Sequence, residues 1–237
     1  MTCGPSLRRC SPTGWCSASR RRPTTARRAT WSPSSSTRAG SGAELGPCCM
    51  RSALLLPFNG VWPQVADDAF LAPGAVLIGN VHVGAESSIW FGAVLRGDHP
   101  TNAIVIGPRT SVQDRCVIHV GNWRPTTVGA NCTIGHGATF ESCLIEDDCT
   151  IGMNAVILQE AVIGQGSLVA AGSVVLERTE VPPGSLVAGV PARVRKPLEG
   201  SSKQWVARGG DHYVAQSRRY LEQGIGRVED ARRGDQP

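Results

Sequence analysis

Five polar side chains recur at regular spacings in a part of the sequence that is otherwise aliphatic and rich in glycine. Arg96, His119 and Glu141 each directly follow an apolar residue, while Asp114 and His136 each stand two positions after an aliphatic one. Two imidazoles and one carboxylate suit Zn²⁺ with a position left open for water, and the same ligand types also suit Fe²⁺. The arginine and the aspartate have the charges of an ion pair. These residues are therefore candidates for a metal site and a salt bridge beside it.

The residues around them show a repeat of about six, which would align the polar side chains in columns. An aliphatic or aromatic residue recurs from position 72 onward, with insertions at "RGDHPTNAIV", "HVGNWRPTT" and "LERTEVPPGSL". A six-residue period is typical of a parallel β-helix with one short strand per repeat and three strands per coil. The sequence thus predicts an all-β fold, a parallel β-helix followed by an α-helix. The repeating residues are Ala72, Ile78, Val83, Ile89, Leu95, Ile106, Val112, Ile118, Val128, Ile134, Phe140, Ile145, Ile151, Ile157, Ile163, Val169 and Val175.

This period converts sequence spacing into geometry, because successive coils stack at the strand spacing of about 4.8 Å. Arg96, His119 and Glu141 are predicted to form one outward-facing column, the His119 column. Asp114 and His136 are predicted to form a second column on another face, the His136 column. The two columns cannot easily meet within one prism. In a homotrimer the His119 column of one subunit could face the His136 column of the next, with Arg96 opposite the neighbour's Asp114.

Each candidate also has a plainer interpretation. An outward Glu141 is more often a solvated charge than a ligand, and Arg96 with Asp114 could be a subunit salt bridge without a catalytic part. Gln113 stands at a corner, where it could simply cap backbone groups. The other histidines are interpreted as solvated surface residues: His82, His99 and His212.

The chain divides by charge and pattern into four parts. Residues 1–49 hold eight Arg and one Glu, so they carry +7, whereas the whole chain carries +5 and residues 50–237 therefore carry 5 − 7 = −2. Residues 1–49 have no apolar period and no secretory apolar core, so they are predicted to be disordered, or to be upstream coding sequence misassigned to the protein. A transit peptide or a nucleic-acid-binding arm has little support from the pattern, and no nucleic-acid partner is predicted.

The remaining boundaries follow from the end of the repeat. Residues 50–197 are predicted to form the β-helix and residues 225–237 a disordered tail. Residues 198–224 are predicted to form a helix that Gly209–Gly210 breaks or kinks. Its apolar stripe consists of Trp205, Val206, Tyr213, Val214, Ser217 and Leu221.

The cysteines and the hydropathy indicate a compartment. Five of the nine cysteines lie in residues 1–49, and the others, Cys116, Cys132, Cys143 and Cys149, form no C-x-x-C pair. A thiolate zinc site is therefore not expected, and buried, reduced cysteines favour the cytoplasm. No apolar run approaches the ~18 residues of a membrane span, so no membrane partner is predicted.

Four segments resemble the gamma-class carbonic anhydrase family, and the likeness extends over roughly residues 56–222. They are "GAVLRGD" (92–98), "GPRTSVQDRCVIHV" (107–120), "VGANCTIGHGATFESC" (128–143) and "LVAGVPARVRK" (186–196). The resemblance implies a left-handed parallel β-helix, trimers, and metal held at the subunit interfaces. These implications agree with the meeting of two columns inferred from the spacing.

The resemblance also implies roles for single residues. His119 and His136 match metal ligands, and Arg96 and Asp114 match an interface pair. Gln113 matches the residue thought to position the metal-bound water or hydroxide, and Tyr213 resembles a C-terminal tyrosine near the site in some members. The chain departs from the family at its third ligand position, where Glu141 stands in place of histidine.

The function that the resemblance implies is reversible hydration of CO₂ to bicarbonate by a metal-bound hydroxide. Glu141 would add negative charge, lower the Lewis acidity of Zn²⁺ or Fe²⁺ and weaken this activity. A second hypothesis is a catalytically inactive trimeric scaffold or small-anion binder. A third is a CoA-dependent acyltransferase, for which His99 is the only loop histidine available.

Overall fold

Three short strands form each coil of the chain, in a computed structural model that describes residues 52–234. The prediction for residues 1–49 lies outside these residues. The strands are β1 Leu54–Leu56, β2 Gln64–Val65, β3 Phe70–Leu71, β4 Val76–Gly79, β5 Val81–Val83, β6 Ser88–Ile89, β7 Val94–Gly97, β8 Ile104–Ile106, β9 Ser111–Val112, β10 Val117–His119, β11 Thr126–Val128, β12 Thr133–Ile134, β13 Thr139–Glu141, β14 Leu144–Ile145, β15 Thr150–Ile151, β16 Val156–Ile157, β17 Val162–Ile163, β18 Leu168–Val169, β19 Val174–Val175, β20 Glu180–Val181, β21 Ser185–Gly189 and β22 Ala192–Pro197. The helices are α1 Gly200–Glu222 and α2 Val228–Gly234.

The strands form three sheets, each of which takes one strand from every coil. The first sheet has the order β1-β4-β7-β10-β13-β16-β19, and the second β2-β5-β8-β11-β14-β17-β20. The third runs β22-β21-β18-β15-β12-β9-β6-β3. All pairings are parallel except that of β21 with β22, which is antiparallel. The predicted parallel β-helix with a helix after it is confirmed.

The core is a stack of seven triangular layers of apolar side chains, one from each strand of a coil. Every one of these side chains is buried, and most are completely inaccessible to solvent. This packing explains the period of six, since one inward residue is needed at each side of the prism. From the first coil to the last they are Leu55, Val65, Leu71, Leu77, Val83, Ile89, Leu95, Ile106, Val112, Ile118, Val128, Ile134, Phe140, Ile145, Ile151, Ile157, Ile163, Val169, Val175, Val181 and Val187.

The predicted repeat differs from the observed one at both ends. Leu71 and Leu77 point into the core. The predicted Ala72 instead packs outside the prism against Phe70 and Trp90, and the predicted Ile78 is half-buried. Leu71, Leu77 and Val83 are six residues apart, whereas the step from Ile78 to Val83 is five, so a strict period of six favours the observed residues. The prediction accepted a step of five and therefore took the neighbouring residues. The segment "LERTEVPPGSL" is not an insertion, because Val181 and Val187 continue the repeat in steps of six.

Helix α1 packs on the outer face of the third sheet and runs unbroken through Gly209–Gly210, so the predicted break is wrong. A Cβ at Gly209 would clash with Oγ1 of Thr133, and one at Gly210 would lie 3.2 Å from the Cα of Asn131. The glycine pair therefore lets the helix approach the sheet closely. The buried stripe consists of Val206, Gly210, Val214 and Ser217, while Trp205 is exposed.

Aromatic side chains hold the C-terminal half of α1 against the sheet. Trp90 lies 4.9 Å from Phe70 and 5.5 Å from Tyr220, measured between ring centroids. Its indole N–H reaches the hydroxyls of Ser88 (3.0 Å) and Ser111 (2.9 Å). This cluster also holds Tyr213, whose ring centroid is 6.1 Å from that of Trp90.

Residues 228–234, predicted to belong to a disordered tail, form helix α2 instead. Val228 and Ala231 are buried and join the core cluster of Ala53 and Leu55 at the first coil. The prediction was wrong because Val228 and Ala231 are buried only by packing against the open end of the prism, a contact that the local sequence does not reveal. No helix within residues 52–234 has the length and apolar character to cross a bilayer.

The four cysteines of residues 52–234 are free and buried. Burial raises the pKa of the Cys116 and Cys143 thiols to about 12. Neither thiol is therefore suited to act as a thiolate nucleophile or a metal ligand.

Candidate functional site

The His119 column has the predicted register. His119 pairs with Arg96 on one neighbouring strand and with Glu141 on the other, so the three residues stand one above another on the first sheet. Nδ1 of His119 lies 2.7 Å from Oε2 of Glu141. About a quarter of each side chain is exposed, so the pair faces solvent from a shallow position on the sheet.

Two further residues, which the sequence analysis missed, complete this column. Asp98 places Oδ1 3.0 Å from Nε2 of His119 and forms an ion pair with Arg96 through its other oxygen. Gln159 donates its amide N–H to Oε1 of Glu141. The result is a continuous chain of polar contacts in the order Arg96, Asp98, His119, Glu141, Gln159. Asp98 belongs to the R-G-D motif and could have been found from it, but Gln159 lies in a turn without a motif.

The electrostatics favour ionised carboxylates in this chain. Burial opposes ionisation of Asp98, but hydrogen bonds from Arg96 and His119 outweigh it and lower the pKa of the carboxyl group. Burial likewise opposes ionisation of Glu141, and hydrogen bonds from His119 and Gln159 lower its pKa. His119 therefore lies between two carboxylates, one at each ring nitrogen.

The His136 column lies at the edge of the third sheet. Nδ1 of His136 is 2.7 Å from Oδ2 of Asp114, and the backbone N–H of His136 donates to Oε1 of Gln113 over 3.2 Å. Gln113 is buried, and its side chain lies close enough to the Tyr213 hydroxyl to influence the pKa of that group. Burial raises the pKa of this tyrosine, and the contact with Gln113 opposes the rise only in part.

The two columns do not meet within one chain. Arg96 pairs with Asp98 and Asp114 pairs with His136, so each has a partner from its own subunit. Among residues 52–234, no three His, Cys, Asp or Glu side chains gather into a metal-binding group. His119 and Glu141 supply a nitrogen and an oxygen that fit Zn²⁺ or Fe²⁺, but only as part of a larger donor set.

The outer face of the first sheet is largely apolar beside the His119 column, although the exposed Thr139 interrupts the neighbouring row between Val117 and Val156. Val94, Val117, Val156 and Val174 lie outward in register there, and Val117 is 42% exposed. Ile78, Leu158 and Leu176 extend the patch along the column itself. Helix α1 covers the third sheet rather than this one. An apolar sheet face of this extent is typical of a protein–protein contact.

His99 is held in a different way from the other site candidates. Its Nδ1 accepts a hydrogen bond from the backbone N–H of Asn102 at 3.0 Å, and its Nε2 lies 2.8 Å from Oδ1 of Asn122. An accepting Nδ1 makes Nε2 the protonated nitrogen. Both ring nitrogens are thus engaged within the loop, and neither has a lone pair free to accept a proton from a substrate.

Known proteins resemble this chain in sequence and in fold. A family model described as "Bacterial transferase hexapeptide (six repeats)" matches residues 142–177. The chain is 48% identical over 135 residues to a "Probable carbonic anhydrase" of Methanocaldococcus jannaschii, which covers 57% of this chain and 84% of that protein. It is 40% identical over 157 residues to "Gamma carbonic anhydrase 1, mitochondrial" of Arabidopsis thaliana, covering 64% of this chain but only 56% of the plant protein.

A solved structure gives the same picture of the fold. The "hexapeptide transferase family protein from Anaplasma phagocytophilum" is 36% identical in sequence and superposes with a TM-score of 0.66. The match covers 70% of this chain and 98% of that one.

Proposed function

The chain belongs to the gamma-class carbonic anhydrase family, and on that basis we propose that it catalyses the metal-dependent, reversible hydration of CO₂ to bicarbonate at the subunit interfaces of a homotrimer. The observation that carries the proposal is the His119–Glu141 pair, with Nδ1 and Oε2 2.7 Å apart on neighbouring coils. This pair offers two donors of the right chemistry, at the position where the family resemblance implies metal ligands.

The apolar face of the first sheet supports the trimer. It surrounds the His119 column, so burying it against a second copy would also enclose the pair. His136 of the partner subunit would then provide the third ligand, since the His136 column of the same chain lies on another sheet. Arg96 of one subunit and Asp114 of the next remain the predicted ion pair at this interface.

The proposed ligands of Zn²⁺ or Fe²⁺ are His119, Glu141 and His136 of the partner subunit. A divalent metal bound there supplies a Lewis acid that lowers the pKa of water toward neutrality. Because a carboxylate brings a negative charge that an imidazole does not, Glu141 should weaken this effect. We therefore expect slower hydration than an otherwise identical chain with histidine at position 141 would give.

Neighbouring side chains hold the proposed ligands in position. Oδ1 of Asp98 lies 3.0 Å from Nε2 of His119 and would accept its proton when Nδ1 is bound to a metal beside Glu141, and Arg96 holds Asp98 in turn. Carboxylates that orient a ligating histidine in this way commonly strengthen metal binding. Gln159 donates to Oε1 of Glu141, so Oε2 is the carboxylate oxygen that would face the metal.

Gln113 and Tyr213 are proposed to act on the substrate. A backbone N–H can only donate, so Oε1 of Gln113 must be the atom that faces the N–H of His136. The amide nitrogen of Gln113 is then available to donate to the Tyr213 oxygen or to an oxygen of CO₂ or bicarbonate. Its burial beside Tyr213 keeps this donor fixed in direction.

Acyl transfer has less support. The Anaplasma structure belongs to a protein named for a transferase family, but His99, the candidate base of this chain, has both ring nitrogens engaged within its loop. The cytoplasm remains the predicted compartment.

Metal analysis tests the proposal. The full chain, purified without added metal or chelator, should contain close to one Zn or Fe per subunit. Glu141→Ala should lose the metal, whereas Glu180→Ala, which changes an exposed glutamate of the second sheet, should keep it. Glu141→His should keep the metal and hydrate CO₂ faster. A metal-free wild type that gains metal only as Glu141→His would instead identify the chain as an inactive scaffold.

A further inference from the structure

A groove runs between helix α1 and the third sheet and begins beside Gln113 and His136. Its volume is about 440 Å³, and small residues such as Gly152 and Ala170 leave room along its floor. Met153 and Trp205 form its apolar walls, and both side chains are more than half exposed. This volume falls in the range of small-molecule sites and is far larger than CO₂ requires.

A second hollow of about 250 Å³ adjoins the groove on the other side of Trp205. The two share Thr133, Thr150, Trp205 and Tyr213, so they lie side by side, and we consider them as two ends of one site. The second hollow adds two side chains that can carry positive charge, Arg208 and His212. The site therefore has an apolar end and a cationic end.

The side chains that can carry charge near neutral pH in the two hollows are basic, and no aspartate or glutamate lines either hollow. Within residues 52–234, Arg109 and Arg218 form ion pairs with Glu86, while no carboxylate lies within ion-pair distance of Arg208. An unpaired guanidinium beside an apolar surface is suited to bind a carboxylate, which it can contact through two parallel N–H groups.

A buried hydroxyl at the junction of the two hollows also has no partner. Thr133 is 5% exposed, and its Oγ1 is without a hydrogen-bond partner among the described residues. This hydroxyl borders Gly209 of α1, and because a buried hydroxyl without a partner is unfavourable, a polar group that reached it would be stabilised there. This atom provides a reason, independent of the charges, to expect a polar ligand group near the middle of the site.

We propose that this site binds a monocarboxylate with an apolar body, the carboxylate at Arg208 and His212 and the body along Trp205 and Met153. The site shares its rim with Gln113 and His136, so a bound acid would lie next to the proposed metal centre. Its charged anchors, Arg208 and His212, belong to neither column, and the proposal does not require that a metal be bound. Binding of such an acid and hydration of CO₂ can therefore succeed or fail separately.

Calorimetric titration with three probes tests the proposal: octanoate, octanamide and acetate. The full chain should bind octanoate, should bind octanamide at least ten-fold more weakly because the amide lacks the charge, and should not bind acetate measurably. Prior treatment with a chelator should leave octanoate binding unchanged, which separates this result from the fate of the metal centre.

Two variants localise the binding. Arg208→Gln should weaken octanoate at least ten-fold and leave octanamide unchanged, whereas Lys203→Gln, a cation of the same helix that lines neither hollow, should leave both unchanged. The proposal is overturned if the wild type does not bind octanoate, if acetate or octanamide binds as tightly, or if Arg208→Gln binds octanoate like the wild type.

Discussion

His119 and Glu141 occupy equivalent positions on adjacent coils, and the 2.7 Å between Nδ1 and Oε2 makes them one hydrogen-bonded unit. Their alignment follows from the backbone register of β10 with β13, so it needs no rearrangement of the sheet. A histidine at position 141 would stand at the same height. Glutamate in place of histidine at position 141 therefore changes the charge of the proposed site more than it changes the position of the ligand.

Gln159→Leu should lower the affinity for Zn²⁺ by roughly 10- to 100-fold, since residues that orient metal ligands commonly have effects of this size. The variant removes the N–H that holds Oε1 of Glu141 and leaves the carboxylate free to rotate. Competition with a chromophoric chelator measures the affinity. Gln165→Leu is a matched control, because Gln165 makes the same type of contact to Asp148 away from the site. Equal affinities in the two variants would contradict the role given to Gln159.

Val117→Lys should prevent trimer formation without unfolding the subunit. Val117 lies outward on the first sheet beside the His119 column and is already 42% exposed, so a lysine there is tolerated in a single chain but not in a buried contact. Light scattering coupled to size-exclusion chromatography gives the mass. Val162→Lys makes the same change on the second sheet and should remain trimeric. A trimeric Val117→Lys would place the contact on another face.

Glu86→Gln should destabilise the protein at neutral pH and lose this effect in acid. Hydrogen bonds from Arg109 and Arg218 lower the pKa of the Glu86 carboxyl below its usual 4.5. A group whose folded pKa is depressed contributes stability above the unfolded pKa and loses it as pH falls through the folded one. The difference in urea midpoint between wild type and variant should therefore be constant above about pH 5 and shrink below about pH 4.

The control for this prediction is Glu160→Gln, which removes a glutamate with its own arginine partner, Arg178, from a similar corner of the prism. That pair is more exposed and does not connect α1 to the β-helix, unlike the contact of Glu86 with Arg218. Its removal should change the midpoint little at any pH. A Glu86 variant that behaved identically would show that the α1 contact adds no stability.

Gly209→Ala should destabilise the protein by about 1–3 kcal/mol, the usual range for overpacking. Alanine gains about 1 kcal/mol of helix propensity, but its Cβ would clash with Oγ1 of Thr133. Thermal unfolding measures the loss. The double variant Gly209→Ala/Thr133→Ala removes the clashing atom and should recover most of the stability, and a failure to recover would point to a different obstacle on the sheet.

The sequence was most informative where side chains belong to strands. The register of Arg96, His119 and Glu141 followed from the spacing because each strand has a single inward residue, and its neighbours must point outward. Asp98 and Gln159 were missed because they lie in turns, where the repeat does not determine side-chain direction. Leu77 was mistaken for its neighbour Ile78 because a step of five was accepted between Ile78 and Val83. The need for glycine at position 209 comes from Thr133, which lies 76 positions away in the sequence, so no local pattern could reveal it.

Helix α2 has a consequence for self-assembly. The first coil would present the open edges of parallel strands, and such edges can recruit strands of other molecules. Here the edge of β3 is already used, because the N–H of Leu71 donates to the carbonyl of Gly226 at 2.9 Å and Phe70 pairs with Arg227. Val228 and Ala231 seal the apolar interior beside it. The C-terminal segment thereby covers the strand edge at this end of the β-helix. A variant shortened before residue 226 should therefore acquire a tendency to polymerise end to end.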